Sequence, residues 1–150
     1  MYSLEEVANR LAIREVIELY SVSVTKRDWE TLASCFHPQA RWHASVGYEF
    51  HTRDGVRDGV RATVETRDIL VQMTHSVVIT ELTPERAKAT VVLNEIGRGK
   101  DGSVFVLGLY YDTLVKSDGR WMFEERDFHV HYLDVSPLAG RILVNHAVQA

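Results

Sequence analysis

One cysteine in 150 residues is too few for a disulfide within the chain or for a zinc site built on several thiolates. That residue, Cys35, stands between Ser34 and Phe36 in a short helical stretch, where a buried and inert thiol is expected rather than a nucleophile. Positive charge is in short supply too. The 17 Lys and Arg against 21 Asp and Glu give a formal charge of -4, which leaves no basic footprint for nucleic acid. No apolar run approaches the length of a secretion signal or a membrane span, and charges run through Met1 to Arg10, so a soluble, cytoplasmic protein with no membrane partner is expected. The chain has no Gly-x-Gly-x-x-Gly after a strand, no phosphate loop and no nucleophile elbow, so neither a nucleotide nor a flavin cofactor is implied. Repeats, low-complexity tracts and linkers are missing, and 45% apolar residues suffice for one core. One domain, 1–150, is expected, with 133–150 as a C-terminal tail.

What the chain does contain is a switch of hydrophobic period. Ser3 followed by Glu6 has the pattern of a capping box, and Leu4, Val7, Leu11, Val16, Ile17, Tyr20 and Val24 recur at helical spacing. A long first helix follows. Asp28 can cap a second helix through Trp29, Leu32, Ala33 and Phe36, which must stop before Pro38. Ala40 to Phe50 reads as extended chain with a turn at Val46-Gly47. Asp54 to about Asp68 is helical in character despite Gly55 and Gly59, and the alternating charges of Arg53 to Arg67 predict a solvated face.

Four extended segments come next, at Thr74 to Leu82, Ala87 to Ile96, Ser103 to Lys116 and Arg120 to Tyr132. The turns between them are short, which demands antiparallel neighbours. Helices first and a meander afterwards predict an α+β domain whose curved antiparallel sheet wraps around the helices.

The candidate chemistry starts with His75. In strand alternation it shares a face with Val77 and Ile79, and an imidazole on an apolar face suits acid/base work. The alternative is a buried histidine satisfied by one hydrogen bond. His129 and His131, two apart in the last strand, could bind a substrate oxygen, protonate a leaving group or ligate a metal. With one cysteine and only that pair, no metal is expected and activity should survive chelation. Arg126 is the cation best placed to reach the interior, although alternation sets it opposite His129 and His131 unless a bulge intervenes. Tyr20 and Tyr110 can turn hydroxyls into a pocket walled by Trp42, Tyr48 and Phe50, while Trp121 is expected in the core.

Tyr20, the run Thr25 to Leu32, Phe36 to Trp42, Thr74-His75, Gly108 to Asp112 and Asp118 to Trp121 together resemble the SnoaL-like branch of the nuclear transport factor 2-like superfamily. The resemblance runs from about Ala8 to Tyr132. It implies a cone-shaped α+β barrel with one deep apolar pocket, assembled into dimers or trimers. It also implies chemistry, because members include dehydratases and a dehydrochlorinase, in which an aspartate near the end of the first helix orients a histidine base.

His75 corresponds to that histidine, but the aspartate position is Thr25, whose hydroxyl orients without supplying charge. Asp112, Glu125 and Asp127 are the possible substitutes. The function expected from the residues and the resemblance together is a cofactor-independent lyase or isomerase. It would act on a small, largely apolar aromatic, terpenoid, steroid or polyketide metabolite, with His75 as base. Tyr20, His129 or His131 would stabilise developing charge. The alternative is a non-catalytic partner, like the small subunit of a ring-hydroxylating dioxygenase, or a ligand-binding module.

Overall fold

A computed structural model describes residues 1–144. Ser3 opens the first helix, α1 (Leu4–Lys26), its hydroxyl accepting the Glu6 N–H at 3.1 Å. The buried stripe of α1 is Asn9, Ile13, Val16, Ile17, Tyr20 and Val24. Leu4, Val7 and Leu11 keep helical spacing among themselves but lie on the solvent side. Leu11 and Ile13 are two residues apart, a rotation of about 200°, so the early apolar stripe and the packed one sit on opposite sides of the same helix.

Asp28 caps α2 (Trp29–Ser34) by accepting the Thr31 N–H at 3.1 Å. This helix is shorter than its apolar spacing predicts. Phe36 already begins β1 (Phe36–Ala44), where its ring lies 5.7 Å from Tyr20 and 5.2 Å from Phe123 between centroids. Gly47, at φ +102°, turns the chain into β2 (Tyr48–His51). Thr52 then caps α3 (Arg53–Glu65), which buries Val56, Val60 and Val64, ties Arg53 to the Phe36 carbonyl at 2.8 Å and pairs Asp54 with Arg57 and Arg61 with Glu65.

The remaining chain is the meander β3 (Ile69–Leu82), β4 (Arg86–Gly99), β5 (Gly102–Ser117) and β6 (Arg120–Asp134). Six strands form one curved sheet in the order β2-β1-β6-β5-β4-β3, with α1 and α3 against its inner face. All neighbours are antiparallel except β1 and β6, which run parallel because the chain crosses through α3 and the meander before returning. Trp121 is buried, its indole N–H donating to Asn9 of α1 at 3.1 Å.

One irregularity in β3 decides what faces inward. Thr74 pairs with Leu93 and Val77 with Val91, so three steps along β3 match two along β4. The extra residue falls at His75-Ser76 and reverses the alternation there. Gln72 and Thr74 face the interior before the bulge, and Val77 and Ile79 face it afterwards.

The tail folds back on the outside of the β4–β5 hairpin. Arg98 donates to the Leu138 and Gly140 carbonyls, both at 2.6 Å, and the Leu138 N–H donates to Ser103 Oγ at 3.1 Å. Residues 145–150 of the expected tail lie outside the described residues. Among the described residues no helix is long and apolar enough to cross a membrane.

Candidate functional site

Between α1, α3 and the inner face of the sheet lies a cavity of about 310 Å³. Its walls are largely apolar, with Val60 and Val64 from α3, Val106 from β5 and Phe128 from β6. Trp42 and Phe50 stack at 5.4 Å between centroids and form one side, and Tyr48 stands at the exposed rim. A side chain at Gly59 would run into the Phe50 ring at 2.3 Å, so this glycine is what lets α3 lie against the aromatic wall.

The carboxylate in this setting is Glu95. The inward set of β4 runs Ala87, Ala89, Val91, Leu93 and then Glu95, so strand geometry carries a carboxylate to the end of an apolar row. Gln72 Nε2 donates to Glu95 Oε2 at 3.0 Å. The amide is itself fixed from α1: Ser21 Oγ donates to Gln72 Oε1 at 3.1 Å, and Thr25 Oγ1 accepts the Gln72 backbone N–H at 3.1 Å. Thr74 completes the set with a 2.6 Å hydrogen bond to Ser21. Burial pushes the Glu95 carboxyl above its ordinary range, opposed by the Gln72 hydrogen bond and the charge of Arg67.

Tyr20 and Tyr110 also line the cavity. Behind them Arg126 and Asp112 face each other across the β5–β6 pairing and form a bidentate ion pair, at 2.9 and 3.0 Å. The guanidinium carbon sits 3.7 Å from the Tyr110 ring centroid, 4.1 Å from Phe123 and 4.4 Å from Tyr20. Burial pushes the Tyr20 phenol well above its ordinary range and raises Tyr110 as well, with Arg126 pulling both down. Arg126, expected to contact substrate, is instead beneath the tyrosines at 1% exposure and does not line the cavity. Alternation had set it opposite His129, and it is.

No histidine is among the residues lining the cavity. His75 is the main correction: the bulge throws it to the outer face, exposed, with Nε2 on Asn94 Oδ1. Thr25, expected to orient His75, holds Gln72 instead. His129 faces outward and shares Asp127 with His43, at 3.0 and 2.7 Å. His131 falls at a second bulge, where Leu107 pairs with Tyr132 and Gly108 with Val130, and is exposed.

Of the three carboxylates considered as substitutes, Asp112 is committed to Arg126, Glu125 pairs with Arg41 and Asp127 is on the outside. Glu95 and Gln72 were missed, although the alternation of Ala87 to Leu93 points to the first. Among the described residues no three His, Cys, Asp or Glu side chains are grouped to hold a metal. Cys35 is buried, and burial pushes its thiol up to about 11.

The sequence matches the SnoaL-like domain family over residues 5–127. The chain belongs to that family. Solved structures share its fold. A hexachlorocyclohexane dehydrochlorinase from Novosphingobium barchaimii superposes with a TM-score of 0.82 at 21% identity, over 94% of this chain and 97% of the other. A protein assigned as a scytalone dehydratase from Novosphingobium aromaticivorans gives 0.80 at 18% identity, over 92% and 98%. One assigned as an aromatic ring hydroxylase from the same species gives 0.80 at 19%, over 85% and 93%. At these identities the likeness is one of fold. No curated protein matches the sequence significantly.

Proposed function

We propose that this SnoaL-like chain is a cofactor-independent lyase of the eliminating type, or an isomerase, acting on a small, largely apolar ring metabolite with Glu95 as its proton carrier. The observation that carries the reading is a single carboxylate turned into an apolar cavity and held there by an amide that two residues of α1 fix in place. A base works best with a pKa near the working pH, and burial moves Glu95 in that direction. In elimination the carboxylate takes a proton from carbon, and the electron pair of that C–H bond becomes the new π bond. A hydroxyl on the neighbouring carbon leaves with the electrons of its own bond. It departs as water on taking one proton from either the Tyr20 or the Tyr110 phenol, and the proton that Glu95 took from carbon returns to that phenolate.

His75, His129 and His131 have no part in this scheme. We further propose assembly as a homo-dimer or homo-trimer. The alternative, a non-catalytic partner of a larger oxygenase, would leave the cavity carboxylate without a task.

The test is a panel of cyclic β-hydroxy ketones in D₂O, followed by NMR for elimination or deuterium exchange. Wild type and His75→Ala should react alike, and Glu95→Gln should be at least about 100-fold slower, as for loss of a general base. A folded Glu95→Gln that keeps its rate, or a His75→Ala that loses it, would return the role to His75.

A further inference from the structure

Arg67 is the cation in the cavity wall, and among the described residues its guanidinium meets no hydrogen-bond acceptor and no carboxylate at ion-pair distance. Everything else about the residue is built. Its carbonyl accepts from Arg27 Nη2 at 2.6 Å and its N–H donates to the Val64 carbonyl at 3.0 Å, which anchors the turn between α3 and β3. The stem lies in a groove that β4 leaves open by having glycine twice. A Cβ on Gly97 would come within 2.9 Å of Arg67 Cδ, and one on Gly99 within 3.0 Å of Arg67 Cα and 2.7 Å of the Thr66 carbonyl. These contacts lead the side chain to the wall that also carries Glu95.

An apolar ligand entering this space expels the water on the guanidinium. The cation is then left without a hydrogen-bond acceptor, with Glu95 acting on it only through its charge, a penalty larger than an ordinary hydrogen bond returns. The penalty vanishes if the ligand brings a planar anionic group, which the guanidinium fork meets with two parallel hydrogen bonds. We propose that Arg67 is an anion-binding residue of the cavity and that the ligand is a monocarboxylate with an apolar ring body. This rests on the cavity being the substrate site, but not on Glu95 being the base.

Isothermal titration of the purified full chain tests it with naphthalene-1-carboxylate and its neutral isostere, naphthalene-1-carboxamide. Wild type should bind the carboxylate at least about tenfold tighter, a difference of about 1.4 kcal/mol. Arg67→Met should bind the two alike, and Gly97→Ala, which keeps the arginine but obstructs its stem, should narrow the preference. Equal affinities in wild type overturn the proposal whatever the variants do, as does a preference that survives in folded Arg67→Met. Glu95→Gln, which removes a negative charge from the same wall, should keep or widen the preference. Slow turnover there with no carboxylate preference in wild type would retain the catalytic reading and refute this one, and the reverse pair of results would do the opposite.

Discussion

Gln72 donates to Glu95 at 3.0 Å while its own backbone N–H is taken by Thr25 at 3.1 Å, so the orientation of the cavity carboxylate is set from the end of the first helix. Donation to a carboxylate favours its charged form. Replacing Gln72 by Leu should therefore raise the Glu95 pKa further and move the acid limb of the kcat/KM profile to higher pH. The profile of Thr25→Val, which leaves the side-chain amide in place, should move less. An unmoved limb in Gln72→Leu would detach Glu95 from the rate.

Glu95 also has a stability consequence whose sign is opposite to that of a paired surface carboxylate. Its pKa is raised on folding, so the native state holds the proton more tightly than the unfolded chain. Stability is then full below the ordinary carboxylate pKa and falls as pH rises from there through the native value. Glu95→Gln should melt above wild type at pH 8, and the gap should close on titration to pH 4. A gap that widens toward acid would contradict the burial argument.

The Arg126–Asp112 pair is buried on both sides. Arg126→Met should cost about 3–5 kcal/mol in urea unfolding at neutral pH, because it leaves a buried carboxylate without its partner. The double variant with Asp112→Leu should recover most of the loss. A single variant within 1 kcal/mol of wild type would mean that water reaches the pair.

Gly59→Ala sets helix propensity against packing. In an exposed helix the change should stabilise by up to about 1 kcal/mol. Here the added carbon meets the Phe50 ring at 2.3 Å, so a net loss of about 1–3 kcal/mol is expected. Quenching of tryptophan fluorescence by an apolar ligand should change too, because Phe50 stacks on Trp42.

The fold was legible because the switch from helical to strand period is a local property. Caps at Ser3 and Asp28 and the turns of the meander need no tertiary information, and Tyr20, Tyr110, Trp42, Tyr48 and Phe50 reached the cavity wall from patterns of this kind. Two failures share one cause. Leu4 to Leu11 and His75 were each assigned a face by extending a regular period, and neither a second stripe on the same helix nor an inserted residue in a strand alters local composition. Glu95 was legible in the alternation of β4, yet a charged residue at the end of an apolar row reads as the row's end. That Arg126 is inside was legible, whereas its ion pair with Asp112 depends on the register of two strands.

The bulge at His75-Ser76 acts on the wall of the cavity as a frameshift acts on a message. Upstream of it Gln72 and Thr74 are read into the interior, and the alternate residues, half-buried Met73 and exposed His75, onto the outer face. Sliding the inserted residue a few positions toward Ile69 would exchange the two sets with no substitution at all, setting Met73 opposite Glu95 in place of the amide and His75 opposite Leu93 in place of Thr74. Under a constant fold and a nearly constant sequence, the chemistry of such a cavity depends on where one extra residue is accommodated. An insertion and a compensating deletion in this single strand would thus change which side chains the cavity receives.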